Sequence, residues 1–102
     1  MDVQQKQQVL FTQLVIMFHA AAMQQLGKIK NPLTDKIDRD LAAAQSSIDL
    51  LDMLKEKTKG NLHAEEDRLL TQVLQELKLN YVDELNKPAT EPPSQEEGKK
   101  NQ

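Results

Sequence analysis

An uncharged, apolar stretch, Val9 to Leu26 (VLFTQLVIMFHAAAMQQL), sets the terms for everything else in this chain, because 102 residues cannot cover such a segment on every side. Nothing in it alternates with period two, and Leu10, Leu14, Met17 and Ala20 to Ala22 are good helix formers, so it reads as a helix that Gly27 stops. Placed around a 3.6-residue turn, its apolar side chains divide into two faces. Phe11, Leu14, Val15, Phe18, Ala21, Ala22 and Leu26 form the broad one. Val9, Ile16 and Met23, spaced by sevens and joined by Ala20, form the narrow one. Two faces imply two neighbours. The rest of the chain is expected on the broad face, and a second copy of the same helix on the narrow face, giving a homo-oligomer with a dimer favoured.

Competing uses of the stretch are weaker. A membrane span needs about 20 mostly apolar residues. The apolar part from Val9 to Met23 is shorter and contains Gln13 and His19, which weighs against a span. A secretory signal could use Val9 to Phe18 and the Ala20-Ala21-Ala22 run, but its leader, MDVQQKQQ, offers one lysine offset by Asp2.

Beyond Gly27, a Lys28 to Lys36 connector holds Pro32, which disfavours helix at Asn31. Lys28 and Lys30 suit the negative pole of the preceding helix. A second helix is expected from Ile37 or Asp38 to about Thr58, on the stripe Ile37, Leu41, Ala44, Ile48, Leu51 and Leu54, widened by Leu50 and Met53. Gly60 closes it, and the short Gly60-Asn61-Leu62 turn makes the next helix its antiparallel neighbour. That third helix begins at His63 or Ala64, with Glu65, Glu66 and Asp67 in its first turn. It presents Leu62, Leu69, Leu70, Val73, Leu74, Leu77, Tyr81 and Leu85 on one face and ends near Asn86. The fold class is therefore all-α, a small three-helix domain over residues 1–87 in which an antiparallel helical hairpin carries a long apolar N-terminal helix. Residues 88–102 contain three prolines and no large apolar residue, the composition of a disordered tail. Met1 to Gln8 is expected to fray.

Little in the composition supports chemistry. The net charge of -3 comes from interspersed residues with neither a basic stripe nor stacking aromatics, which argues against nucleic acid as a partner. The absence of cysteine removes disulfides, thiolate metal sites and cysteine nucleophiles, and is compatible with a reducing cytoplasm. His19 shares a polar stripe with Gln8 and Thr12 and has no carboxylate within a turn or two, so it reads as a hydrogen-bonded residue at a helix interface. His63 and Glu65 match H-x-E superficially, without the cysteines of a zinc deaminase. Asp49, Asp52 and Glu56 could line up oxygens for a hard cation, but Lys55 and Lys59 stand close enough to neutralise them. No catalytic, cofactor-binding or metal-ligating residue is assigned, no cofactor is expected, and the chain is read as a non-enzyme.

The block IDLLDMLKEKTKGNLHAEEDRLLTQVLQELKLNYVDEL resembles the signature of a bacterial family known as domain of unknown function 1844. The opening FTQLV and an alanine-rich segment closing on QLG resemble that family's first helix, so the likeness runs from Phe11 to Leu85. KTKGNL, Lys57 to Leu62, is its most specific piece; His63-Ala64 stands where family members commonly have Thr-Pro. The resemblance implies a small bacterial, cytoplasmic helical protein and supplies no catalytic residues. The expected function is that of a self-associating protein-interaction module joined through Val9, Ile16, Ala20 and Met23. The alternative is a membrane-associated protein that inserts or docks through residues 9–26, or uses them to dock on a larger protein complex.

Overall fold

A computed structural model of the chain describes residues 1–87, in which three helices pack against one another: α1 (Val3–Gln25), α2 (Leu41–Lys57) and α3 (Ala64–Leu85). The tail expected over residues 88–102 lies outside the described residues. Cross-helix pairs give the directions. Lys55 reaches Asp67 and Thr71 while Asp52, one turn earlier, meets Lys78, so α2 and α3 run antiparallel. His19 meets Glu76 and Lys28 meets Asp83, so α1 and α3 run parallel. Helix α1 contacts both members of the hairpin. Its register on α2 is set where the Ser47 hydroxyl donates to the Gln25 side chain at 2.6 Å.

Local chemistry sets the helix ends. Helix α1 starts at Val3 rather than fraying to Gln8, because Asp2 accepts the Gln5 N–H at 2.8 Å while the Gln5 side chain accepts the Asp2 N–H at 2.9 Å. This reciprocal box satisfies two of the amides a helix start leaves open. At the other end Gly27 adopts φ +81°, and the Lys28 and Gly27 N–H groups donate to the Met23 and Gln24 carbonyls. This is a Schellman stop, whose left-handed position glycine occupies at no steric cost.

The expected start of α2 at Ile37 or Asp38 is corrected to Leu41. Residues 37–40 are not helical, and Asp40 caps the helix by accepting the Ala43 N–H at 3.1 Å. Helical geometry at Asp40 would also break the bond from its own N–H to the Gln25 carbonyl, 2.7 Å, which ties α2 to the end of α1. The connector before it is tightly folded. Asn31 and Lys36 form an antiparallel bridge, the Asn31 side chain accepts the Leu33 N–H, and Asp35 turns the chain with φ 57°. At α3 the His63 N–H donates to the Glu66 side chain at 2.9 Å.

The core lies where the three apolar stripes meet: Val15, Ala22 and Leu26 of α1 and its end, Ala44, Ile48 and Leu51 of α2, and Leu70, Val73, Leu74 and Leu77 of α3. Phe11, Phe18, Met23, Leu41, Leu54, Leu62, Leu69 and Tyr81 close its edges. Truncating Leu51 or Leu77 to alanine costs about 2–5 kcal/mol, a large share of what so small a core can hold. Several residues expected inside are not there. Leu14, Ile37, Leu50, Met53 and Leu85 are all exposed, because each lies at the edge of its stripe, or beyond its helix, where no third element covers it.

Candidate functional site

Two features stand out beyond the core, one polar and buried, the other apolar and exposed. The polar one is built on Glu84, in the last turn of α3. Its side chain is only 5% exposed, yet it receives Lys28 Nζ at 2.8 Å, Arg39 Nε at 2.9 Å and Lys87 Nζ at 2.7 Å. Arg39 also donates from Nη2 to the Glu84 carbonyl at 2.7 Å, and Lys28 reaches Asp83 at 2.9 Å. One carboxylate thus fastens both ends of the α1–α2 connector to the C-terminus of α3. Burial by itself would push the Glu84 carboxyl up, but the hydrogen bonds and charges of Lys28 and Lys87 outweigh it and hold it below the ordinary glutamate range. The hydrogen bond from Lys28 holds Asp83 low as well, and Glu84 and Asp83 together hold Lys28 above the usual lysine range. Lys28 therefore has carboxylate partners besides the helix pole expected for it. With its oxygens engaged by three cations, Glu84 is a clamp on the fold.

The other polar groups are spent in a similar way. His19 Nε2 lies 3.2 Å from Glu76 Oε1, a carboxylate supplied by α3 that its own helix did not contain, and so it sits at the helix interface expected of it. The proposed neutralisation of the α2 carboxylates by Lys55 is corrected: Lys55 turns to Asp67 and Thr71, and Asp52 pairs instead with Lys78 of α3. Asp49 accepts from Gln45. Among the described residues no group of three or more histidines and carboxylates is arranged to hold a metal ion. An open cleft of about 500 Å³ between the N-terminal half of α1 and the α2–α3 turn is lined by Gln7, Phe11, Asn61, His63 and Glu66, whose carboxylate already caps α3.

The apolar feature is the outer side of α1. Of the residues singled out for self-association, Val9 and Ile16 are 43% and 53% exposed, whereas Ala20 is half-buried and Met23 packs against the core. The structure brings Val9 and Ile16 to one flank, toward α3. It also exposes what the two-face division left out: Leu10 and Met17, at 52% and 66%, with Leu14 between them. Among the described residues no helix is long and apolar enough to cross a membrane.

These features define an all-α fold with an exposed apolar helix face and a buried carboxylate paired with three cations. The chain matches the model of a family described as domain of unknown function (DUF1844) over residues 8–83, from the second turn of α1 to the last turn of α3, and it belongs to that family. The match stops one residue short of Glu84. No curated protein and no solved structure matches the chain.

Proposed function

We propose that this protein is a non-enzymatic, self-associating interaction module that assembles through the outer side of α1, in a bacterial cytoplasm. The observation that carries this reading is that Val9, Leu10, Leu14, Ile16 and Met17 stay exposed on one helix with no formal charge between Lys6 and Lys28. A solvent-facing helix side ordinarily carries charges. Burying the exposed part of such side chains is worth roughly 1 kcal/mol each, so five from each of two copies give about 10 kcal/mol before the cost of association. That cost is itself about 4–15 kcal/mol, which places the assembly among those whose affinity depends on how well the faces fit.

Chemistry has less support, because His19, Asp52, Lys55 and Glu84 are each committed to a neighbouring helix. The cytoplasmic setting rests on the cysteine-free composition, and the bacterial one on the resemblance of the second and third helices. The test is the absolute mass of the full-length protein by light scattering in the absence of detergent. A sharp dimer, or a larger defined oligomer, supports the reading. A monodisperse monomer across the micromolar range refutes it, and polydisperse material that detergent disperses would favour docking on a membrane instead.

A further inference from the structure

The outer side of α1 carries two apolar stripes, and they are not equivalent. Toward α3 lie Val9 and Ile16, with Ala20 small and Met23 already packed against the core. Toward α2 lie Leu10, Leu14 and Met17, separated by four and three residues, which is the spacing of a coiled-coil seam. The side can be assigned because Ser47 of α2 donates to Gln25 at the end of α1. Leu50, three residues beyond Ser47, lies about 60° round α2 from it toward solvent, and Met53 lies about 60° further on. With Ser47 level with Gln25 in an antiparallel pair, Leu50 comes level with Ala22 and Met53 with His19. Leu50 and Met53 are each 47% exposed. Leu50 thus borders the stripe on α1, whereas Val9 and Ile16 lie on the flank of α1 that carries His19, which meets Glu76 of α3.

Resting on the self-association proposed above, we infer that the seam is the Leu10–Leu14–Met17 strip, closed by a second copy of this chain running antiparallel about a two-fold axis at Leu14. Three observations select this occupant. The strip on α1 has no formal charge between Lys6 and Lys28, so its own copy meets no repulsion there. The spacing is close to self-complementary: with Leu14 facing the partner's Leu14, Leu10 and the partner's Met17 come within one residue of the same level, and Met17 and the partner's Leu10 do likewise, as an isologous contact requires. Finally, α1 begins at Val3, and its residues 3–7 are exposed. In the antiparallel arrangement the partner's projecting first turns come level with Leu50. The opposed helix dipoles favour the same direction.

The chain contains no cysteine, so single cysteines report the seam directly in the full-length protein. Under mild oxidation Leu14→Cys is expected to convert to a covalent dimer of twice the mass. Leu10→Cys and Met17→Cys are each expected to stay uncrosslinked alone and to join when mixed, while Ile16→Cys does not crosslink. These positions are exposed, so the variants are expected to fold; far-UV circular dichroism before oxidation verifies it, and Leu14→Glu, expected to halve the mass seen by light scattering, provides a second readout. Crosslinking through Ile16 but not Leu14 in a protein that is dimeric overturns the seam and leaves self-association standing. Self-linking of Leu10→Cys overturns the antiparallel direction. A monomeric wild-type protein overturns the reading on which the seam rests.

Discussion

Replacing Glu84 with glutamine changes one charge and almost no volume, which makes it a clean probe of the clamp. In the native protein the carboxylate, 5% exposed, holds Lys28, Arg39 and Lys87 at 2.7–2.9 Å. Removing one partner of a fully buried ion pair costs about 3–5 kcal/mol, because the other charge is stranded. Here the stranded cations are not fully buried: Lys28 and Arg39 are 22% and 23% exposed and Lys87 is half exposed, so water recovers part of the loss. Arg39 also keeps its bond to the Glu84 carbonyl. The expected cost of Glu84→Gln is therefore lower, about 2–3 kcal/mol. For a domain of this size that lowers Tm by roughly 10–20 °C. Urea titration followed by far-UV circular dichroism, at fixed protein concentration, measures it. The double variant with Arg39→Met is expected to cost less than the sum of the single changes, as coupled partners do. A change smaller than about 0.5 kcal/mol for Glu84→Gln would refute the argument, since that is the scatter of ordinary surface substitutions.

The same cluster sets a pH dependence. Asp83 and Glu84 titrate lower in the folded protein than their ordinary values of 3.8 and 4.5, so their contribution is complete above those values and is lost as pH falls through the folded ones. Lys28 titrates higher than 10.5, so its contribution is complete below that pH and lost only as pH rises beyond it. Stability measured by urea titration is expected to decline on acidification below about 4.5, with a shallower slope in Glu84→Gln; identical slopes would remove Glu84 as a cause. At the start of α3, His63→Ser replaces the imidazole with a hydroxyl, a side chain favoured at helix N-caps, and is expected to raise stability by about 0.5–1.5 kcal/mol in the same titration. No gain there would mean that the Glu66 bond to the His63 N–H already satisfies this helix end.

The helices and their stops were legible because they rest on local signals. Gly27 and Gly60 both take positive φ at the helix ends expected of them, and His63 stands as the N-cap of α3. The start of α1 was not legible although Asp2 and Gln5 have capping-box spacing, because the polar run from Val3 to Gln8 carries no apolar stripe to mark a helix. The exposure of Leu14, Leu50 and Met53 was not legible, since periodicity shows which side chains share a face but not how far round the neighbouring helix reaches. The clamp was harder still. Glu84 meets Lys28 and Arg39 across 56 and 45 residues of sequence, and only the fold brings them together. One sign of it was present: Leu70, Leu77 and Glu84 are spaced by sevens, so an acid occupies the register of two buried leucines. A charge there needs a partner, and Lys28 and Arg39 flank the only long connector of the described chain.

The clamp and the exposed strip bear on each other through the size of the core. Ten buried apolar residues among the described ones, two of them alanines, leave little margin for a domain of this length, and assembly is a common remedy. If a second copy covers Leu10, Leu14 and Met17, folding and association are linked and apparent stability rises with concentration by mass action. A tenfold increase in protein adds about 1.4 kcal/mol per dimer, or roughly 0.7 kcal/mol per chain. That corresponds to a rise in Tm of about 3–5 °C. Scanning calorimetry at concentrations a hundredfold apart is expected to show about twice that shift in the wild-type protein and none in Leu14→Glu. Glu84→Gln, whose damage lies at the far end of α1, is expected to lower Tm at both concentrations and keep the shift. A wild-type Tm independent of concentration would mean that the clamp and core suffice alone, and that the strip adds nothing to the stability of the fold.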